Sequence, residues 1–207
     1  MRTRDAAGVG NSLFEGTGAT PFGMFSFRNP DATVGSLVID AGPGDNIVTL
    51  DPMDATFSSS IQVVGGDGND VILAAETFAN GLHIQGGIGD DVLRGGTGDD
   101  LIDGGVGNDS PSGGAGTDTL DGGSGDDVVT ETADADFNLT DTVLAVTGAA
   151  SDALVSIELA NLTGGISDNT FDATAFSGSV TLNGEAGDLS LIHISEPTRR
   201  TPISYAV

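Results

Sequence analysis

Six aspartates at set intervals are the residues of this chain best placed to do chemistry. Asp91, Asp100, Asp109, Asp118 and Asp127 recur every nine residues, and Asp70 stands upstream in the same local setting. Each is sixth in a unit that opens Gly-Gly and has another Gly in fourth place. Five such units run without a gap from Gly86 to Thr130: GGIGDDVLR, GGTGDDLID, GGVGNDSPS, GGAGTDTLD and GGSGDDVVT. A further copy, GGDGNDVIL, occupies Gly65–Leu73. Carboxylates at such spacing have two uses. The doublets Asp90/Asp91, Asp99/Asp100 and Asp126/Asp127 look like paired acid–base groups. Alternatively they are oxygen donors repeated because the unit is repeated.

The elements that position them follow from the other places of the unit. Three Gly in six residues cannot be helix and make a poor strand, because Gly is entropically costly in regular structure and tolerates positive φ. They mark a tight turn with bared backbone. The last three residues form a very short strand whose eighth place alone faces inward. That place holds Leu93, Ile102, Leu120 and Val129, with Pro111 in the third unit. One aliphatic per unit closes no core until units stack, which is how a solenoid is built. Pro lacks a strand N–H, so the Ser110–Ser112 coil is expected to be the loosest.

The unit G-G-x-G-x-D-x-U-x resembles the calcium-binding nonapeptide of RTX, or hemolysin-type, repeat proteins. The resemblance implies an all-β chain wound as a parallel β-roll, a form of β-helix solenoid. Two units would make one coil, so units two apart lie above one another, about 4.8 Å apart. Calcium–oxygen bonds run about 2.3–2.6 Å, so an ion midway between stacked turns reaches both. Its ligands would be the sixth-place carboxylates and the carbonyls of Gly87, Gly89, Gly96, Gly98, Gly105, Gly107, Gly114, Gly116, Gly123 and Gly125. Oxygen-only coordination suits Ca²⁺ rather than zinc or copper. The implied pairs are Asp91 with Asp109, Asp100 with Asp118, and Asp109 with Asp127, with Asp70 and Asp91 as a fourth. One Asp of each doublet is then a ligand and the other is solvated, which displaces the catalytic reading.

Charge agrees. Gly86–Thr130 holds ten Asp and one Arg, a net of −9. Two carboxylates about 5 Å apart repel by roughly 3 kcal/mol at an effective dielectric of 20. The stretch is therefore expected to order as calcium binds. The whole chain has 207 residues, 33 Gly, 5% aromatics, a formal charge of −25 and no Cys. Such a chain repels nucleic acid and anionic membrane. It has no disulfide framework, and no run of 18 apolar residues that would span a bilayer.

Four regions are expected. Residues 1–35 do not repeat and carry Phe14, Phe22, Phe25 and Phe27, read as a cap or the remnant of an upstream region. Residues 36–130 form the calcium-binding roll. Within it, AGPGDNIVT at Ala41–Thr49 is a worn unit with Asn46 in sixth place, where little or no calcium is expected. Ala74–Gln85 is a half-coil without the motif, with Leu82–Ile84 as its strand. Residues 131–188 continue the solenoid in degenerate form, with strands at Phe137–Leu139, Val143–Val146 and Leu154–Leu159. Residues 189–207 lack Gly and Asp and are similar to translated sequencing-adapter read-through; an unstructured, non-native tail is expected.

The function these readings imply is a calcium-binding module of a secreted or cell-surface bacterial protein, a monomeric part of something larger. RTX relatives are usually exported by a type I secretion system. The alternative is the calcium-dependent tail of an exported protease or lipase. No G-x-S-x-G or H-E-x-x-H motif is present, so no enzyme is expected within this chain.

Overall fold

A computed structural model describes residues 11–15, 36–52, 60–185, 189–194 and 204–206, with side chains over 37–52 and 60–185. Every regular element among them is a strand. In order they are β1 (Asn11–Glu15), β2 (Ser36–Asp40), β3 (Ile47–Leu50), β4 (Ser60–Asp67), β5 (Val71–Ala74), β6 (Leu82–Ile88) and β7 (Val92–Arg94). Then come β8 (Leu101–Val106), β9 (Ser110–Ser112), β10 (Thr119–Ser124), β11 (Val128–Thr132), β12 (Phe137–Thr140) and β13 (Val143–Val146). The chain continues through β14 (Ser151–Val155), β15 (Leu159–Thr163), β16 (Asn169–Ala175), β17 (Ser179–Asn183), β18 (Leu189–Ile194) and β19 (Ser204–Ala206).

The chain winds as a parallel β-roll. Even-numbered strands β2, β4, β6, β8 and β10 stack into one face, and odd-numbered strands β3, β5, β7 and β9 into the other. Units two apart are in register: Gly87 pairs with Gly105, and Gly105 with Gly123. The half-coil keeps the frame, because Gly66 pairs with Gly87. The expected core column is in place. Leu93 and Ile102 are fully buried, and Leu120 and Val129 are 1% exposed. Ile102 lies between Ile84 and Leu120, and Leu93 between Ile72 and Pro111, so single apolar residues stack into a seam.

Pro111 interrupts one face. Its ring fills the inward place opposite Leu93. The second face nevertheless breaks between β9, the last strand of one four-stranded sheet, and β11, the first of another. A proline has no N–H to offer the next coil. Replacing Pro111 by Val restores that donor and keeps an apolar side chain inward. The variant is expected to gain about 1 kcal/mol, raising the calcium-loaded melting temperature by roughly 2–4 °C. A melting scan showing no gain means the break has another cause.

Past Thr132 the winding departs from the expected plain continuation. β12 and β13 form an antiparallel pair, and β14 runs antiparallel to β13 while lying parallel on β10. The chain thus overshoots by two strand positions and folds back before resuming with β15 on β11 and β16 on β12. Short strands outside the Gly-Gly-x-Gly unit allow this reversal, which the nonapeptide frame forbids. The expected single strand Leu154–Leu159 is two, β14 and β15, with a bend at Ser156–Glu158. Phe171 is buried and stacks on Phe137 with centroids 4.9 Å apart.

Within residues 189–207 the described segments are two strands, β18 and β19. β18 pairs in parallel with β16, and β19 with β17. The alternating run LSLIHI explains this, since its β-branched and aliphatic residues suit an exposed sheet edge. At the other end β1 pairs with β2. The calls on Phe22, Phe25 and Phe27 fall outside the described residues.

Candidate metal centre

Each sixth-place aspartate sits at the corner where one face turns into the other. On the first edge, even-numbered strands run through the opening Gly-Gly pair, turn, and deliver Asp70, Asp91, Asp109 and Asp127 immediately before β5, β7, β9 and β11. On the opposite edge Asp100 and Asp118 precede β8 and β10. All six are buried, at 0–3% exposure. Asp90 and Asp99, their doublet neighbours, point outward.

The buried carboxylates form two ladders. On the first edge, the backbone N–H of each sixth-place residue donates to the carboxylate of the next coil. Asn46 donates to Asp70 Oδ1 at 2.8 Å, Asp70 to Asp91 at 2.7 Å, Asp91 to Asp109 at 2.8 Å, and Asp109 to Asp127 at 2.7 Å. On the second edge Leu82 donates to Asp100, and Asp100 to Asp118, each at 2.8 Å. Units two apart therefore adjoin at these aspartates, and Asp70 adjoins Asp91 in the same way. One oxygen of each carboxylate is used by the backbone.

The other oxygen is the feature that matters. Oδ2 of Asp70, Asp91, Asp109, Asp118 and Asp127 is buried with no hydrogen-bond partner. Glycine carbonyls gather beside it. At Gly104, a Cβ would stand 2.5 Å from both Asp109 Oδ2 and the Gly122 carbonyl. At Gly105, φ is +110° and a Cβ would fall within 3.0 Å of the Gly87 carbonyl. The glycines therefore keep a cradle open in which only backbone and carboxylate oxygens meet. An isolated buried carboxylate is strongly unfavourable, so an oxygen-seeking cation is the natural complement. Among the described residues no three carboxylate or imidazole side chains converge. An ion held in this cradle must take many of its ligands from backbone carbonyls. That donor set fits calcium and not a thiolate- or imidazole-seeking metal.

Two turns close themselves. Asp100 Oδ2 accepts from the Gly96 N–H at 2.9 Å, so this carboxylate has no orphan oxygen. Its neighbour upstream is the half-coil, which offers no Gly-rich turn. In the worn unit, the Asn46 amide donates to the carbonyls of Gly42, at 3.0 Å, and Gly44. An N–H₂ group thus reaches two carbonyls of this turn, which no carboxylate of the other units does.

The fifth places, expected to be merely solvated, make an outer ladder. Asn69 donates to Asp45, Asp90 to Asn69, Asn108 to Asp90, and Asp126 to Asn108, at 2.8–3.0 Å. Asp and Asn alternate along it, which spaces the charges two coils apart. Two acids that the sequence did not single out cap the inner ladders. Asp118 donates to Asp152 Oδ1 at 3.0 Å, and Asp127 to Glu158 Oε2 at 3.1 Å. Neither lies in a Gly-rich unit: Asp152 is the second residue of β14, and Glu158 immediately precedes β15.

Burial pushes Asp91, Asp100 and Asp109 up to about 6, from an ordinary 3.8, with neighbouring aspartates adding to the rise. Burial likewise raises Asp70, Asp118 and Asp127. Asp152 rises to about 7. A carboxylate whose folded pKa is raised favours the fold most below its unfolded pKa and loses that contribution as pH passes the folded value. In chelator, acidifying from pH 7.5 to about 4.5 is therefore expected to increase β content. Circular dichroism that is flat across that window would contradict the burial of these groups.

The RTX calcium-binding nonapeptide repeat model matches the chain in four copies, over residues 62–76, 83–111 and 112–130. The chain thus carries RTX calcium-binding repeats, and all six sixth-place aspartates lie within the matched spans. No curated protein matches the chain.

Proposed function

We propose that this RTX-repeat chain is a structural calcium module in which Asp70, Asp91, Asp109, Asp118 and Asp127 hold ions between stacked turns. Asp100 contributes through its pairing with Asp118. The carbonyls of the second- and fourth-place glycines complete each site. The observation that carries this reading is the set of five buried carboxylates, each with one orphaned oxygen beside a glycine turn. Calcium supplies the positive charge that lets those carboxylates stay ionised inside the roll. Isothermal titration of the full chain with Ca²⁺ tests it: several sites with affinities of about 10⁻⁴–10⁻³ M are expected. No heat of binding at millimolar calcium would overturn it.

The module works by folding where calcium is abundant. That suits a secreted or cell-surface protein whose chain stays extended until it is exported, as through a type I system. Residues 36–130 would carry the ions of the repeat turns, residues 131–188 would extend the stack in degenerate form, and the module would act as a monomer within a larger protein. It would do no catalysis of its own, because its carboxylates are tied to the backbone at one oxygen and buried at the other. Among the described residues, no helix is long and apolar enough to cross a membrane.

A further inference from the structure

The first-edge ladder does not stop with the last Gly-rich unit. Beneath Gly122–Asp127 lies the bend Ser156-Ile157-Glu158, outside every matched repeat. Register places it in the next turn position from both sides. Asp121 pairs with Val155, which sets Ser156 under Gly122. Val128 pairs with Leu159, which sets Glu158 under Asp127. Three residues thus span what six span in a repeat.

The bend reproduces the oxygen positions of a Gly-rich turn. The Ser156 carbonyl lies within 3.0 Å of the Cβ position on Gly122, as the Gly122 carbonyl does at Gly104 and the Gly104 carbonyl at Gly86. Glu158 Oε2 accepts the Asp127 N–H at 3.1 Å, as Asp127 Oδ1 accepts that of Asp109. Leu159 N–H donates to the Asp127 carbonyl at 2.9 Å, as Val128 N–H does to Asp109. Ser156 holds φ at +51°, a left-handed backbone that side-chain-bearing residues rarely adopt. Between these groups Asp127, fully buried, has an Oδ2 with no partner.

We infer that Asp127, the Ser156 carbonyl and Glu158 form one more calcium site, closed by a bend with no glycine. The longer Glu side chain makes up for the shortened turn. Asp152, which caps the other ladder, does not do the same. The three atoms nearest the Cβ position on Gly113 are all from Asp118 itself, so no carbonyl approaches as Ser156 does. The inference rests on the reading that the repeat turns bind calcium.

Native mass spectrometry of the full chain in millimolar Ca²⁺ counts the ions. Glu158→Gln keeps an oxygen for the Asp127 N–H but removes the charge. It is expected to carry one ion fewer than the unaltered chain, with unchanged β content. Ser156→Gly keeps the carbonyl and is expected to keep the full count. An equal count in Glu158→Gln overturns the site while leaving the repeat sites standing; no ions in the unaltered chain overturns the underlying reading instead. A measurement that needs no variant is the anomalous difference map of calcium-grown crystals. A peak bonded to Asp127 Oδ2 and the Ser156 carbonyl is expected, and peaks confined to the Gly-rich turns would exclude the site.

Discussion

Chelating calcium is expected to abolish most of the β-sheet signal of this chain at pH 7.5, and millimolar calcium to restore it. The reason lies in how little else holds the roll. Its core is a seam of single aliphatics such as Leu93, Ile102, Leu120 and Val129. Against this stand six buried sixth-place aspartates, five with an unpartnered oxygen. Domain stability is a difference of about 5–15 kcal/mol. An unsatisfied buried polar group costs about 1–3 kcal/mol, and more if charged, so five of them consume that margin. Each ion at ten times its dissociation constant returns about 1.4 kcal/mol, and it also removes the orphan. Far-UV circular dichroism in chelator and then in about 5 mM Ca²⁺ is the test. Identical spectra in the two conditions would show that the apolar seam suffices alone and that the carboxylates are tolerated without an ion.

What could be read in advance was whatever the nine-residue period controls. The period sets the coil, so Gly87 had to lie on Gly105, and Asp91 beside Asp109. It also tolerated the half-coil, because Leu82–Ile84 kept its alternation. The antiparallel excursion of β12, β13 and β14 was not legible. Their sequences, FNLT, VLAV and SDALV, suit either direction, and only the absence of the Gly-Gly-x-Gly unit distinguishes them. Asp152 and Glu158 escaped for a related reason. Their role comes from register across 34 and 31 residues of non-repeating chain, and no local pattern encodes it. Asp100 differs from its copies in a way its own unit does not announce. Its motif is intact, yet its oxygen is claimed by Gly96 because the coil above offers no Gly-rich turn.

Replacing Asp109 by Asn is expected to reverse its effect on stability between the two calcium conditions. Asp109 lies mid-ladder: its Oδ1 takes the Asp91 N–H, its own N–H goes to Asp127, and its Oδ2 is unpartnered. Asn is nearly the same shape. Its oxygen can keep the Asp91 bond, and its N–H₂ can reach glycine carbonyls as Asn46 already does with Gly42 and Gly44. In chelator the variant loses a buried charge and the repulsion of Asp127, Asp90 and Asp103. It is therefore expected to hold more β structure than the unaltered chain. In saturating calcium it lacks a ligand for the turns on both sides of it. The calcium midpoint of folding is expected to rise about tenfold or more, equivalent to about 1.4 kcal/mol. Asp109→Ala behaves differently, because it strands the Asp91 N–H and so destabilises by about 1–3 kcal/mol in both conditions. A purely structural carboxylate predicts that Asn is neutral everywhere, and a purely electrostatic one predicts that Asn and Ala behave alike. Only a carboxylate that is both a backbone acceptor and an ion ligand gives Asn opposite signs with and without calcium. Calcium titrations of the three chains followed by circular dichroism separate the cases, and an Asn variant with an unchanged midpoint would remove Asp109 from the ion sites.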